Sequence, residues 1–482
     1  MFLRIRHGRE FSVLFPARCT GFRVFQAWFR AGRRGKTVNF RLMNTLEKLR
    51  AGQLAGCQHL KLACGLKTFP REVFALADTL EILDLSGNEL SDLPDDLPRL
   101  YRLRILFCSD NRFTELPAVL GKCPQLSMIG FKANRIASVP AAALPANLRW
   151  LILSDNRVEE LPAGVGRCAQ LQKLMLAGNR LSDLPPEMAA CTRLELLRIA
   201  ANRFATLPEF LFSLPRLAWL AYAGNPLDDE GGGAVSEAPI ASVAWDEVRL
   251  SGKLGEGASG VIHEAQWQSG AGALPVAVKL FKGTLTSDGL PHHEMHACIR
   301  AGAHPQLIPV LGRIDSHPEN LDGLVMALID RGFANLAGPP SFESCTRDVY
   351  AVDVRFSPQT ARYIALGVAS AVRHLHAQGI LHGDLYAHNI LHTTDGEVLL
   401  GDFGAASILP RRDRARSAAL QRIEARAFAC LLDELLERCT PAVDAENITK
   451  TLSALQAACA REVPAERPLF AEIERRLSVL DA

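Results

Sequence analysis

Between residues 57 and 227 the apolar positions keep a fixed frame around Asn88, Asn111, Asn134, Asn156, Asn179, Asn202 and Asn225, at spacings of 23, 23, 22, 23, 23 and 23 residues. Leu80, Leu83 and Leu85 precede Asn88, and Leu90, Leu93 and Pro94 follow it; the frame returns as Leu171, Leu174, Leu176, Asn179, Leu181, Leu184 and Pro185. A unit of this length with one apolar edge cannot bury that edge alone, whereas stacked copies form a continuous core. The asparagine amide in each copy can pair backbone groups that a tight turn strands from water. After Trp245 the frame is gone. Strand-like stretches then cover 248–254 and 261–267, and 276–279 is an apolar strand. Residues 357–376 carry Ile364, Val368, Val372 and Leu375 at near-helical spacing.

The frame L-x-x-L-x-L-x-x-N-x-L-x-x-L-P resembles leucine-rich repeat proteins. That resemblance implies a strand and a return segment per repeat, stacked as a curved solenoid. Residues 60–70 (LKLACGLKTFP) read as a degenerate first copy, with Cys64 near the asparagine position. Cys123, Cys168 and Cys191 each lie twelve residues after a repeat asparagine, where Leu100 and Leu214 sit in other copies, and read as core fillers. Period two along each strand turns the residues six and four before the asparagine away from the core. Those columns read Ile82, Ile105, Met128, Trp150, Lys173, Leu196, Trp219 and Asp84, Phe107, Gly130, Ile152, Met175, Arg198, Ala221. A face this apolar predicts a docked protein, another molecule or this chain's own second domain. Its expected contacts are Ile105, Phe107, Met128, Trp150, Ile152, Met175 and Trp219.

Chemistry enters after the Gly-rich stretch 228–245, which reads as a linker. Gly255-Glu256-Gly257-Ala258-Ser259-Gly260-Val261 lies between two strands, where glycines let backbone N–H groups approach phosphates; a dinucleotide fold would want a helix directly afterwards. Val276-Ala277-Val278-Lys279 follows, and Glu294 stands fifteen residues later in a stretch that could be helical. His382-Gly383-Asp384-Leu385-Tyr386-Ala387-His388-Asn389 comes next, with Asp402-Phe403-Gly404 thirteen residues beyond Asn389. In this order the motifs resemble the eukaryotic-like protein kinase set.

The kinase resemblance implies that Lys279 contacts the α- and β-phosphates of ATP and pairs with Glu294, that Asp384 orients and deprotonates the acceptor hydroxyl, and that Asn389 and Asp402 hold Mg²⁺. It places ATP against Leu254, Gly255, Gly257, Gly260, Val261, Ala277, Met326, Ala327 and Ile329, with 324–329 as the strand into the adenine hinge and Met326 as gatekeeper. Several positions depart from the family pattern. Gly383 replaces an Arg that would read a phosphorylated activation loop, which argues against that mode of regulation. Tyr386 stands where a Lys usually touches the γ-phosphate. The segment from Asp402 to Glu424 lacks the APE motif, and Glu424 to Phe428 resembles the start of the late central helix. Arg467 resembles the family's late Arg, without its usual glutamate partner.

Fifty-four basic and 52 acidic side chains give a net charge of +2, too balanced for a polyanion partner of the whole molecule. Residues 1–42 hold ten Lys or Arg and one acid, so the remainder is at −7. This basic segment reads as an upstream-start artefact, a targeting segment or a nucleic-acid arm, because Met43 opens the orderly part. No apolar run reaches the ~18 residues of a spanning helix. Twelve cysteines without CxxC pairing read as reduced thiols. His292, His293 and His296 offer an i, i+4 pair but no third ligand, and no zinc is expected.

These readings predict an α/β leucine-rich repeat solenoid followed by an α+β two-lobed protein kinase-like domain. Its parts are a basic extension over 1–42, repeats over 43–227, a linker over 228–245 and the kinase-like domain over 246–482. The implied activity is cytoplasmic phosphorylation of protein Ser or Thr by ATP with Mg²⁺. A protein substrate or regulator sits on the concave repeat face, with no nucleic acid and no membrane span. Two rivals remain: a small-molecule phosphotransferase, because His-Gly-Asp-Leu also resembles antibiotic and sugar kinases, and a pseudokinase scaffold.

Overall fold

The computed structural model describes residues 46–227 and 240–479, except 271, 284 and 442–444. The basic extension and most of the expected linker lie outside the described residues. Helix α1 (Leu46–Arg50) packs on the first repeat through the buried Leu49. Eight parallel strands follow in chain order: β1 (His59–Lys61), β2 (Ile82–Asp84), β3 (Ile105–Phe107), β4 (Met128–Gly130), β5 (Trp150–Ile152), β6 (Lys173–Met175), β7 (Leu196–Arg198) and β8 (Trp219–Ala221). Their central residues, among them Leu83, Leu106, Leu151, Leu174 and Leu197, are buried inside the solenoid together with Cys123, Cys168 and Cys191. Short 3₁₀ segments such as Ala118–Lys122 and Glu209–Ser213 return the chain.

The asparagines tie neighbouring turns. Asn179 Nδ2 donates to the carbonyls of Leu153 and Leu176, both at 2.9 Å, and its Oδ1 accepts from Val158 N–H at 2.9 Å. The residue before each repeat asparagine has a left-handed backbone, φ between 51° and 74°. Glycine at two of these positions answers a second demand. A Cβ on Gly178 would lie 1.8 Å from Leu285 Cδ2, and one on Gly224 would lie 2.5 Å from His293 Cε1, because the second domain lies against these turns.

The second domain opens with a six-stranded sheet built from β9 (Ala241–Ala244), β10 (Val248–Glu256), β11 (Gly260–Ser269), β12 (Gly272–Phe281), β13 (Val310–Asp315) and β14 (Gly323–Ala327). Its strand order is β10-β11-β12-β14-β13-β9. The expected linker therefore ends earlier than residue 245: small residues and the buried Val243 let β9 pair in parallel with β13 at the sheet edge. Helix α2 (Pro291–Ala301) starts at a proline, whose missing N–H costs nothing at a helix start.

The lower lobe holds α3 (Pro358–Ala377), β15 (Ala334–Asn335), β16 (Ile380–Leu381), β17 (Ile390–His392), β18 (Val398–Leu400) and β19 (Ser407–Ile408). It closes with α4 (Arg414–Leu436), α5 (Glu446–Cys459) and α6 (Phe470–Ser478). The Ser357 hydroxyl caps α3 by accepting from Thr360 N–H at 3.0 Å. The late helix does not start at Glu424: α4 begins ten residues earlier, where Asp413 Oδ1 accepts from Arg416 N–H at 2.9 Å, and Glu424 lies in its middle.

The concave repeat face is covered by this second domain. Leu196, Ala218 and Trp219 belong to the apolar core of the lower lobe, while Leu381, Leu409, Leu420 and Ile423 belong to the core of the solenoid. At the other end Phe342 lies on Ile105, Phe107, Met128, Trp150 and Ile152, 5.8 Å from the Phe107 ring and 6.4 Å from the Trp150 ring. Of the two occupants the sequence left open, the chain's own second domain is the one seated there.

His293 makes the upper contact sensitive to acid. Burial, with the neighbouring His292 and His296, pushes its pKa down to about 4, and its buried Nδ1 has no hydrogen-bond partner among the described residues. The unfolded chain takes up this proton near pH 6.5 and the folded one does not, so stability is complete above about pH 6.5 and falls as the pH drops toward about 4. With the ring partly exposed, the loss is about 1–2 kcal/mol. Melting between pH 7.5 and 4.5 should show this slope, reduced in His293→Gln.

Candidate active site

The glycine loop is the turn of the β10–β11 hairpin, closed by Gly257 N–H donating to Gly260 C=O at 2.9 Å. A Cβ on Gly260 would come within 2.5 Å of the Leu280 carbonyl, whereas one on Gly257 would meet no heavy atom within 4 Å. The loop is thus packed on the strand side and open at its tip. Leu254 is exposed beside it, and Gly255 and Val261 are half-buried. Across β12 and β14, the buried Ala277 is in register with Met326; Ala327 is the last residue of β14, and Ile329 lies two residues further on. Lys279 of β12 ion-pairs with the buried Glu294 of α2. Burial opposes the charge of the Lys279 ammonium, and Glu294 and Asp402 more than offset it, so its pKa lies above the ordinary value.

The loop between β16 and β17 carries the acid. Asn389 Nδ2 donates to both the carbonyl and Oδ2 of Asp384, at 2.9 Å each, which fixes Oδ1 as the acceptor end of that amide. Asp402, exposed, has a left-handed backbone (φ 57°), and its Oδ1 accepts from Gly404 N–H at 3.1 Å. Phe403 packs 5.3 Å from the His382 ring. His388 is held by Asp348, whose Oδ2 accepts from its N–H at 2.9 Å and whose Oδ1 lies 2.8 Å from Nδ1. Gly401 N–H, one residue before Asp402, donates to the Asn389 carbonyl at 3.0 Å, and the amide oxygen of Asn389 and the carboxylate of Asp402 are hard oxygen donors of the kind that suits Mg²⁺.

Repeat residues complete the surroundings. Arg198, 1% exposed, ion-pairs with Asp384 Oδ1 through Nη2, with Asp288 Oδ1 through Nε at 2.7 Å, and donates from Nη1 to the Gly383 carbonyl at 3.0 Å. Burial alone would raise the Asp384 carboxyl; the Arg198 charge, with His388 and His382, holds it below the ordinary value. The Trp219 ring stacks on Tyr386, 4.2 Å between centroids and 5° between planes, while its Nε1 donates to the Leu385 carbonyl at 3.1 Å. Tyr222 donates from its backbone N–H to Ser407 Oγ at 3.0 Å and from its hydroxyl to the Ile408 carbonyl at 2.8 Å. Glu195 accepts from Thr346 and from Arg347.

Residues 248–430 match the family model of protein tyrosine and serine/threonine kinases, and residues 79–100 match that of the leucine-rich repeat. The second domain is a protein kinase domain. The Arabidopsis thaliana serine/threonine-protein kinase AtPK1/AtPK6 is 45% identical over 62 residues, 13% of either chain. The Arabidopsis LRR receptor-like serine/threonine-protein kinase GSO2 is 30% identical over 193 residues, 36% of this chain and 15% of that protein. The probable serine/threonine-protein kinase gdt4 of Dictyostelium discoideum is 29% identical over 156 residues, 32% of this chain and 8% of that protein. The chain thus spans a small fraction of the length of these relatives. No helix among the described residues is long and apolar enough to cross a membrane.

The kinase domain's departures from its family have physical reasons in the repeat contact. Gly383 has φ 74°, and a Cβ there would lie 2.6 Å from the Ala405 carbonyl and 2.7 Å from the Leu220 carbonyl of β8. An Arg cannot occupy this position while the repeats are docked. Gly383→Arg should therefore cost at least about 2–4 kcal/mol through overpacking and backbone strain, read as a lower urea midpoint. Arg467 donates to the carbonyls of Arg461 at 2.9 Å, Arg422 at 3.3 Å and, in the repeats, Pro215 at 2.6 Å, in place of a glutamate. Glu424 Oε1 accepts from Gly383 N–H at 2.8 Å, and Oε2 is paired with His376 Nε2 at 2.6 Å.

Arg198, Asp288, Glu195 and Asp348 were not among the expected site residues. Arg198 had a visible signal: with Lys173 it is a cation in columns that are otherwise mostly apolar.

Proposed function

We propose that the chain is a protein serine/threonine kinase that transfers the γ-phosphoryl group of ATP. The observation that carries this reading is the Lys279–Glu294 pair standing in one domain with Asp384, Asn389 and Asp402 in the family's order. The acceptor oxygen bonds to the γ-phosphorus as its proton passes to Asp384, and the bond from phosphorus to the β,γ-bridging oxygen breaks to leave ADP. Lys279 holds the α- and β-phosphates under the open tip of the glycine loop, and the adenine lies against Ala277, Met326 and Ala327. Asn389 and Asp402 would hold Mg²⁺, which would supply charge neutralisation at the transferred group. Eleven described cysteines are unpaired thiols, which supports a reducing, cytoplasmic setting. The concave face serves this chain's own kinase domain first, and a protein substrate or regulator meets the combined surface.

One observation favours a second reading. Arg198 and Trp219 close over the catalytic loop and leave the Asp384 side chain 18% exposed, which suits a small hydroxyl acceptor as well as a protein segment. The test is transfer of label from γ-labelled ATP with Mg²⁺ by the full chain to itself, to casein and to a panel of small polyols and aminoglycosides, with phosphosites mapped. Label on Ser or Thr supports the kinase reading. Label confined to small acceptors supports the second, and label on tyrosine alone contradicts the Ser/Thr assignment.

A further inference from the structure

The catalytic loop from His382 to Asn389 contains neither Lys nor Arg. Tyr386, the side chain nearest in sequence that might have been cationic in its place, is buried, stacked on Trp219, and keeps its phenol proton because burial and the Asp384 charge push its pKa well up. A guanidinium nevertheless stands at Asp384, and it comes from the repeats. Arg198 reaches it from β7, is 1% exposed, and also binds the Gly383 carbonyl and Asp288 of the loop before α2. One side chain therefore ties both lobes to the acid.

We propose that Arg198 is a positioning residue of the phosphotransfer site, an arginine supplied by the repeat domain that holds the Asp384 carboxylate in place. The inference rests on the kinase reading given above. With Nε on Asp288, Nη1 on the Gly383 carbonyl and Nη2 on Asp384, Arg198 acts through the carboxylate it holds and not on the phosphoryl group itself. The alternative is a brake, in which Arg198 blocks the acid until the repeats leave. The packing speaks against it. Leu196, Ala218 and Trp219 are part of the kinase-domain core, and Leu381, Leu409, Leu420 and Ile423 are part of the repeat core, so opening the contact would expose the cores of both domains. Gly383 meets the Leu220 carbonyl without room for a Cβ, and Arg467 bonds the Pro215 carbonyl, so polar and steric fit continue the apolar one. The upper lobe meanwhile already has its Lys279–Glu294 pair made.

The test is carried out on the full chain with γ-labelled ATP, Mg²⁺, casein and water as acceptors. Arg198→Ala should lower kcat by about 10²-fold with the KM for ATP within about threefold, the scale of a misplaced reacting group. Guanidinium ion at concentrations well below those that denature should restore part of the Arg198→Ala rate and none of the Asp384→Asn rate. Arg198→Lys should retain an intermediate rate, and it guards against an Arg198→Ala protein that does not fold, as judged by melting. A variant as fast as the wild type, or faster, overturns the proposal and makes the contact a brake. A folded, slow Arg198→Ala protein that guanidinium does not rescue, with KM and kcat changed alike, overturns it in favour of a purely structural arginine. A wild-type chain that hydrolyses and transfers nothing overturns the kinase reading itself, and the proposal with it.

Discussion

Asp384→Asn is expected to cut phosphoryl transfer by about 10³-fold, within the range of a lost general base, while nucleotide binding stays within a few fold of wild type. The substitution keeps the shape of the side chain and its contact with Asn389, and removes only the group that can take the acceptor proton. Lys279, Glu294 and the glycine loop lie in the other lobe and are untouched, so the expected signature is a fall in kcat with little change in KM for ATP. The substitution also leaves Arg198 with Asp288 as its remaining carboxylate, so some loss of stability should accompany it. Single-turnover transfer and a titration with a fluorescent nucleotide separate the two effects. A variant within tenfold of the wild-type rate would mean that Asp384 is not the base.

Trp219→Ala carries the largest expected effect on stability, about 3–5 kcal/mol, the usual range for truncating a buried Trp. The ring is 1% exposed, stacked on Tyr386, and its Nε1 satisfies the Leu385 carbonyl, which would be left buried and unpaired. Trp150→Ala, at the Phe342 end of the same face, should cost less, about 1–2 kcal/mol, because that ring is half-buried and touches one aromatic neighbour from the kinase domain. Urea unfolding at unchanged m-value measures both. Equal losses at the two positions would mean that the face is not anchored at the catalytic loop.

The repeats were legible because their physics is periodic: a core position that recurs every 23 residues and an asparagine that bonds the same carbonyls in each turn leave a direct trace in sequence. The kinase domain was legible for a different reason, since Lys279, Asp384, Asn389 and Asp402 sit in short local motifs that keep the family's order. The union of the two domains left almost no trace. Arg198 and Asp384 are 186 residues apart, and Trp219 and Leu385 are 166 apart, and contacts at such separation obey no period. What the sequence did offer was indirect: an apolar face, a cation within it, a glycine where an arginine was expected and a late arginine without its acid. Gly383 in the sequence points to a loss of loop-phosphate recognition; its steric reason, the Leu220 carbonyl, lies in the other domain. The misplaced start of α4 has a simpler cause. The motif-like Glu424 outweighed the capping Asp413, although capping chemistry decides where a helix begins.

The central claim is that the repeat face and the catalytic loop are one folding unit. Native-state hydrogen exchange on the full chain tests it most directly by comparing the amide of Tyr222, bonded to Ser407, with that of Gly383, bonded to Glu424. The account predicts that both open with the same free energy and the same dependence on denaturant, as members of one cooperative unit. If the Gly383 amide exchanges through a separate, lower-energy opening while the repeats stay protected, the two domains are merely adjacent, and Arg198 is not a fixed part of the site.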